Sequence, residues 1–131
     1  MEVIAVLVIL GVLATLAVPR IAGLSSSMDL QDARDQLVGD LRMARSMAQA
    51  CAGTEVTVSN SNASGWTIVP DTDCGHSITR ANTGVTVDGF AVIFQYPDGN
   101  PDAAEDIELS AGGSSVRVCI AADSGIITRC N

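Results

Sequence analysis

A chain of 131 residues has room for one small domain and little more. It contains no lysine, and its seven basic residues, all arginine, face fifteen acidic ones for a net charge of −8, which disfavours nucleic-acid binding by bulk charge. Aromatics make up only 3% of the chain, so a core must be built from Val, Ile, Leu and Ala, and a core that small needs staples.

The mean hydropathy of +0.33 hides an uneven distribution. The run Val3-Ile-Ala-Val-Leu-Val-Ile-Leu-Gly-Val-Leu-Ala-Thr-Leu-Ala-Val18 holds no charge and leads straight into Pro19-Arg20. As a helix it spans roughly 24 Å, somewhat less than a hydrocarbon core of about 30 Å. Continuing to Ala22 or Leu24 closes the gap, with Arg20 snorkelling outward. A cleaved signal peptide would start with basic residues, whereas this start is acidic. A membrane anchor or a helix buried in an assembly remains, and Glu2 at the edge of the run favours a functional role. A carboxylate at a membrane-embedded position is costly and takes a partner.

Glu2, the β-branched and Leu-rich run, Gly11, Pro19 and Arg20 together resemble the N-terminal segment of type IV pilins and pseudopilins. The resemblance covers about the first 24 residues. Family members carry a basic leader ending in Gly and then Phe-Thr-Leu before the glutamate. Here only Met1 precedes Glu2, so the leader and first mature residues are expected to lie outside this sequence. The resemblance implies that Glu2 neutralises the N-terminal amine of a neighbouring subunit inside the filament and so fixes axial register, with Pro19 as a second assembly residue. It also implies a prepilin peptidase acting on the precursor, an inner-membrane assembly platform and other pilin or pseudopilin subunits as partners. The expected location is the inner membrane and then a periplasmic pseudopilus or a surface pilus.

Beyond this run, Leu30, Ala33, Leu37, Leu41, Ala44, Ala48 and Cys51 recur at steps of three or four, one face of an amphipathic helix. Asp29, Asp32, Arg34, Asp35, Asp40, Arg42 and Arg45 are expected on the other faces. Residues 1–51 thus read as one long helix, kinked near Pro19 and Gly23 and ended by Ala52-Gly53. The stretch Leu41-Arg-Met-Ala-Arg-Ser-Met-Ala48, followed by Glu55-Val-Thr-Val-Ser59 and Gly65-Trp66-Thr-Ile-Val69, is similar to GspH/FimT-type and MSHA-type minor pilins.

From residue 54 the period changes to two. Strands are expected at 55–59, 66–69, 85–87, 90–96, 106–110, 116–120 and 126–129, punctuated by Gly, Asn, Asp, Ser and Pro. Short links favour antiparallel hairpins. The expectation is an α+β fold, a long N-terminal helix laid on one face of an antiparallel β-sheet head: 1–24 transmembrane or filament-core helix, 25–52 amphipathic half, 53–131 disulfide-stapled head.

Cys51, Cys74, Cys119 and Cys130 show neither a C-x-x-C pair nor a histidine at zinc spacing, so disulfides in an oxidising compartment are expected before a metal site. A two-residue turn at Ser124-Gly125 would put Cys119 directly opposite Cys130, within disulfide reach, and leave Cys51 for Cys74. The other connectivities stay open.

Asp98, Asn100, Asp102 and Glu105 offer oxygen ligands for calcium in one short span, but without EF-hand spacing, and an ordinary solvated turn is the simpler reading. No cofactor is otherwise expected. No G-x-S-x-G, H-E-x-x-H or P-loop appears, and His76 reads as a loop residue, so no enzyme is expected. Asn62-Ala-Ser64 fits a glycosylation sequon of little weight. Arg117 and Arg129 near the last hairpin form the only conceivable basic patch for DNA. The function implied is a structural subunit, a minor pilin or pseudopilin of a type IV pilus or type II secretion pseudopilus. A DNA-uptake pilin and a major pilin are the alternatives.

Overall fold

The computed structural model describes the backbone of residues 2–71 and 75–130, with their side chains except those of Glu2 and residues 16–23. Cys74 therefore lies outside the described residues, as do the side chains of Glu2 and Pro19.

Helix α1 runs unbroken over Glu2–Ala50, 49 residues and about 75 Å at the standard rise. Its two halves have opposite surroundings. In the second half Leu30, Ala33, Leu37, Val38, Leu41, Ala44 and Ala48 are buried, the stripe that the spacing of three and four residues demands. Three alanines in that stripe let the sheets approach the helix closely. In the first half, Val3 through Leu13 expose 54–72% of their large apolar side chains. Just past the helix Gly53 adopts a φ of 75° and Thr54 N–H donates to Cys51 O at 3.1 Å. This left-handed glycine is a common way to stop a helix.

Among the described residues no helix is long and apolar enough to cross a membrane. The transmembrane or filament-core span expected over 1–24 falls in part outside them, since the side chains of Glu2 and residues 16–23 are not described. The described apolar side chains from Val3 to Thr15 cover about 20 Å of helix, short of a bilayer core of about 30 Å, and the side chains of residues 16–23 lie outside.

The head contains nine strands among the described residues: β1 Glu55–Asn62, β2 Gly65–Pro70, β3 Ile78–Ala81, β4 Thr86–Val87, β5 Ala91–Gln95, β6 Asn100–Pro101, β7 Glu105–Ala111, β8 Ser114–Ile120 and β9 Ile127–Cys130. They form two antiparallel sheets, not the single sheet expected, ordered β3-β2-β1-β5-β6 and β4-β7-β8-β9. The chain changes sheet around β4. Val87 N–H donates to Ala63 O at the tip of the first hairpin, while Asp88 N–H donates to Glu108 O of β7. One short segment thus ties both sheets together.

The alternation of each strand selects its inward face. Val56 and Val58 of β1, Trp66 and Ile68 of β2, Val92 and Phe94 of β5, Ile107 and Leu109 of β7, and Val118 and Ile120 of β8 meet Leu37 and Leu41 in one core. The β7–β8 turn is Gly112-Gly113, with φ of 57° and 81°, the backbone of a type I′ hairpin that only glycine enters without strain.

The last hairpin departs from expectation. Cys119 lies opposite Thr128, and Cys130 lies opposite Arg117. The turn is longer than two residues: Ala121 N–H donates to Ile126 O, and Gly125 N–H donates back to Ala121 O. Cys119 and Cys130 are still joined by a disulfide, but diagonally across the ladder, with Cα atoms 5.9 Å apart, within the range such bridges span. Cys51 is also disulfide-bonded.

Candidate functional site

Two features follow from this architecture: a bare apolar helix end and a head clamped to the other end of the same helix.

The clamp is polar and comes from one helical face. Arg42 Nη2 donates to Ile127 O at 3.4 Å, Arg45 donates through both Nη nitrogens to Gly125 O and Ser124 O at 2.9 Å each, and Gln49 Nε2 donates to Asp98 O at 2.7 Å. Steps of three and four residues place these donors in a row. The two loops they hold are joined to each other by Asn100 Nδ2 donating to Asp123 O at 3.3 Å. The loop at Gly99 comes so close to α1 that a Cβ there would stand 2.9 Å from Arg45 O and 2.7 Å from Gln49 Cγ, and its φ is +64°. Both facts require glycine.

Replacing Arg45 with alanine removes two charge-assisted bonds to loop carbonyls. The expected cost is about 1–2 kcal/mol, concentrated at the Ala121–Ile126 turn. Amide exchange at Gly125 should rise by about tenfold or more while the β1–β2 hairpin keeps its protection. Equal loosening of both would show that Arg45 supports the whole head and not this turn.

A second clamp is buried. Asp40, expected on a solvent face, is only 6% exposed. It accepts from Trp66 Nε1 at 2.9 Å and from Arg80 Nε at 3.2 Å. Its position follows from the helix period, three residues after Leu37 and four before Ala44, both of which are buried. That spacing is the signal by which sequence reasoning could have found it.

The calcium-type residues do not converge. Asp98 offers its carbonyl to Gln49, Asn100 binds Asp123 O, and Asp102 Oδ1 accepts from Ile93 N–H at 3.1 Å. Glu105 begins β7. Among the described residues the group with ligand atoms close enough for a metal is instead Asp106, Cys119 and Cys130. Its two sulfurs are in a disulfide and hold no thiolate to offer a metal. His76 is exposed in a loop. A depression of about 430 Å³ lies against the β7–β8 turn, lined by Gly, Ser, Thr and Ala alone, and offers no acid, base or strong nucleophile.

Arg117 and Arg129, the DNA candidates, are both ion-paired. Arg117 Nε lies 3.2 Å from Glu108 Oε2 and Arg129 Nη2 lies 3.0 Å from Asp35 Oδ1. Carboxylates beside both guanidinium groups reduce the field available to a phosphate.

A long N-terminal helix, bare and apolar at its start, with its second half packed on antiparallel sheets, is the arrangement of the pilin fold. Residues 33–125 match the family described as type II transport protein GspH, and the chain belongs to that family. Its family is that of the pseudopilins, structural subunits of type II secretion that associate with one another in a periplasmic pseudopilus. No curated protein and no solved structure gives a significant match.

Proposed function

We propose that the chain is a minor pseudopilin that enters the pseudopilus through its N-terminal helix. The carrying observation is the bare helix end: nine large apolar side chains between Val3 and Leu13 have no cover from their own head. At about 25 cal/mol per Å², such a surface is strongly driven to find apolar surroundings. An inner membrane before assembly and a bundle of like helices afterwards both supply them.

In this reading Glu2 supplies register. A carboxylate entering the bundle needs a cationic partner, because an unpaired buried charge costs several kcal/mol. The N-terminal amine of a neighbouring subunit meets that need. The prepilin peptidase and the assembly platform act before that step. A minor position is favoured because the Ala44-Arg45-Ser46 helix pattern is similar to that of minor subunits.

The test restores a leader and Phe-Thr-Leu-Ile ahead of Glu2 and expresses the protein with a prepilin peptidase and the secretion machine. Sheared filaments are then probed with an antibody to the head. Sparse incorporation, lost in Glu2→Ala together with secretion, is expected. Abundant signal along the filament would instead indicate a major subunit. Full incorporation of Glu2→Ala would remove the register role.

A further inference from the structure

The outer face of the second sheet carries a group of side chains that the core does not use. Asp106 of β7 lies opposite Cys119 of β8, and Cys119 lies opposite Thr128 of β9. Residues opposite one another in an antiparallel ladder share a face, and so does a residue two further along the strand. Cys130, two after Thr128, therefore joins Asp106 and Cys119 on one side of the sheet. Ile107, Val118 and Ile120 fill the other side and are buried.

The three side chains meet. A carboxylate oxygen of Asp106 and the sulfurs of Cys119 and Cys130 all lie within 4.8 Å of one another. Tetrahedral ligand atoms held about 2.0–2.3 Å from a zinc ion stand roughly 3.3–3.8 Å apart. With the bridge open, side-chain rotation lets the sulfurs separate and the carboxylate approach, over cysteine Cα atoms 5.9 Å apart.

The Cys119–Cys130 bridge is what keeps a metal out, because sulfurs bonded to each other hold no thiolate. Both cysteines are half-buried and Asp106 is exposed, so a small dithiol reaches the bridge. Exchange breaks the S–S bond. The dithiol leaves as its own disulfide, and Cys119 and Cys130 are left as two thiols. A divalent cation then binds both sulfurs as thiolates and releases their two protons to water.

We propose that the reduced head holds a soft divalent cation of the zinc class on Cys119, Cys130 and Asp106, so that metal and disulfide are alternative staples of the last hairpin. The donor set selects the metal. Two thiolates favour zinc over calcium or magnesium, which take oxygen ligands, and a carboxylate is a third ligand that zinc accepts. Arg117 lies opposite Cys130 on the same face, where its charge would oppose a cation, but Glu108 Oε2 at 3.2 Å offsets it. Arg42 and Arg45 hold the carbonyls of Ile127, Gly125 and Ser124, so the hairpin stays tied to α1 at its turn when the bridge opens. The inference stands apart from the filament reading.

The full chain in detergent micelles is reduced with a trialkylphosphine, freed of it without oxygen, and titrated with Co²⁺ and then Zn²⁺. Co²⁺ should give a thiolate-to-metal charge-transfer band that Zn²⁺ removes by displacement. Zinc at about a hundredfold excess over its dissociation constant should raise the melting temperature of the reduced chain by roughly 10–20 °C. The oxidised chain should show neither effect. In the ¹⁵N-labelled reduced chain, zinc should move the amide signals of Asp106, Cys119 and Cys130. Asp106→Asn keeps the disulfide, folds oxidised as the parent does, and after reduction should bind Zn²⁺ about tenfold or more weakly. Cys119→Ser with Cys130→Ser retains the other two cysteines and should give no band. No band in the reduced parent chain, an equal band in the serine variant, or equal zinc affinity in Asp106→Asn would overturn the proposal. Equal stabilisation of the oxidised chain would overturn it too, by placing zinc on surface carboxylates alone.

Discussion

Asp40→Ala is expected to lower the unfolding free energy by about 3 kcal/mol, among the largest effects of any single polar substitution in the head. The Asp40 side chain is only 8% exposed and holds two donors at once. The indole N–H of Trp66, a residue fully buried in the core, would be left with no acceptor, which costs about 1–3 kcal/mol by itself. Arg80 adds less, because its side chain is 40% exposed and can turn to water, where a lost ion pair is worth about 1 kcal/mol or less. A small cavity beside Leu37 and Leu41 makes up the rest. The check is a urea melt of Asp40→Ala, Trp66→Phe and the double variant. The double variant should be more stable than the sum of the two losses predicts, by about 1 kcal/mol or more. Strict additivity would show that the carboxylate and the indole act independently. This contact joins α1 to the first sheet.

Replacing Cys119 and Cys130 with serine should cost about 3 kcal/mol, the loop-closure value for a short cross-link, given a sequence separation of 11 residues. On a head of this size that is a fall of roughly 12–24 °C in melting temperature. β9 has four residues and lies at the edge of its sheet, so it should open first, with amide exchange rising at Thr128, which faces Cys119, before Val118. An unchanged melting temperature would mean that the bonds from Arg42 and Arg45 already hold this hairpin without the bridge.

Much of this architecture is visible in the sequence because the helix period is strict. Leu30, Ala33, Leu37, Leu41, Ala44 and Ala48 read as one face and are one buried face. The same strictness also covers Asp40, whose charge hid its place on that stripe. A polar residue at a core spacing is ambiguous until its partner is known, and Trp66 and Arg80 lie far along the chain. The division into two sheets was not legible either. It depends on β4, two residues long, which shows no period of its own. β3 and β6 escape for related reasons: one is a short polar edge strand and the other is only Asn100–Pro101. The register of the last hairpin turns on the Ala121–Ile126 turn, held by carbonyls that face Arg45, a tertiary contact that no local turn rule anticipates.

The chain has one tryptophan, and its indole nitrogen is bonded to Asp40 of α1 while its ring lies in the core. Its fluorescence is therefore an intrinsic gauge of that joint. Emission should be blue-shifted while helix and sheet stay in contact and move to the red when water reaches the ring. The joint between α1 and the first sheet can thus be followed optically, without a label.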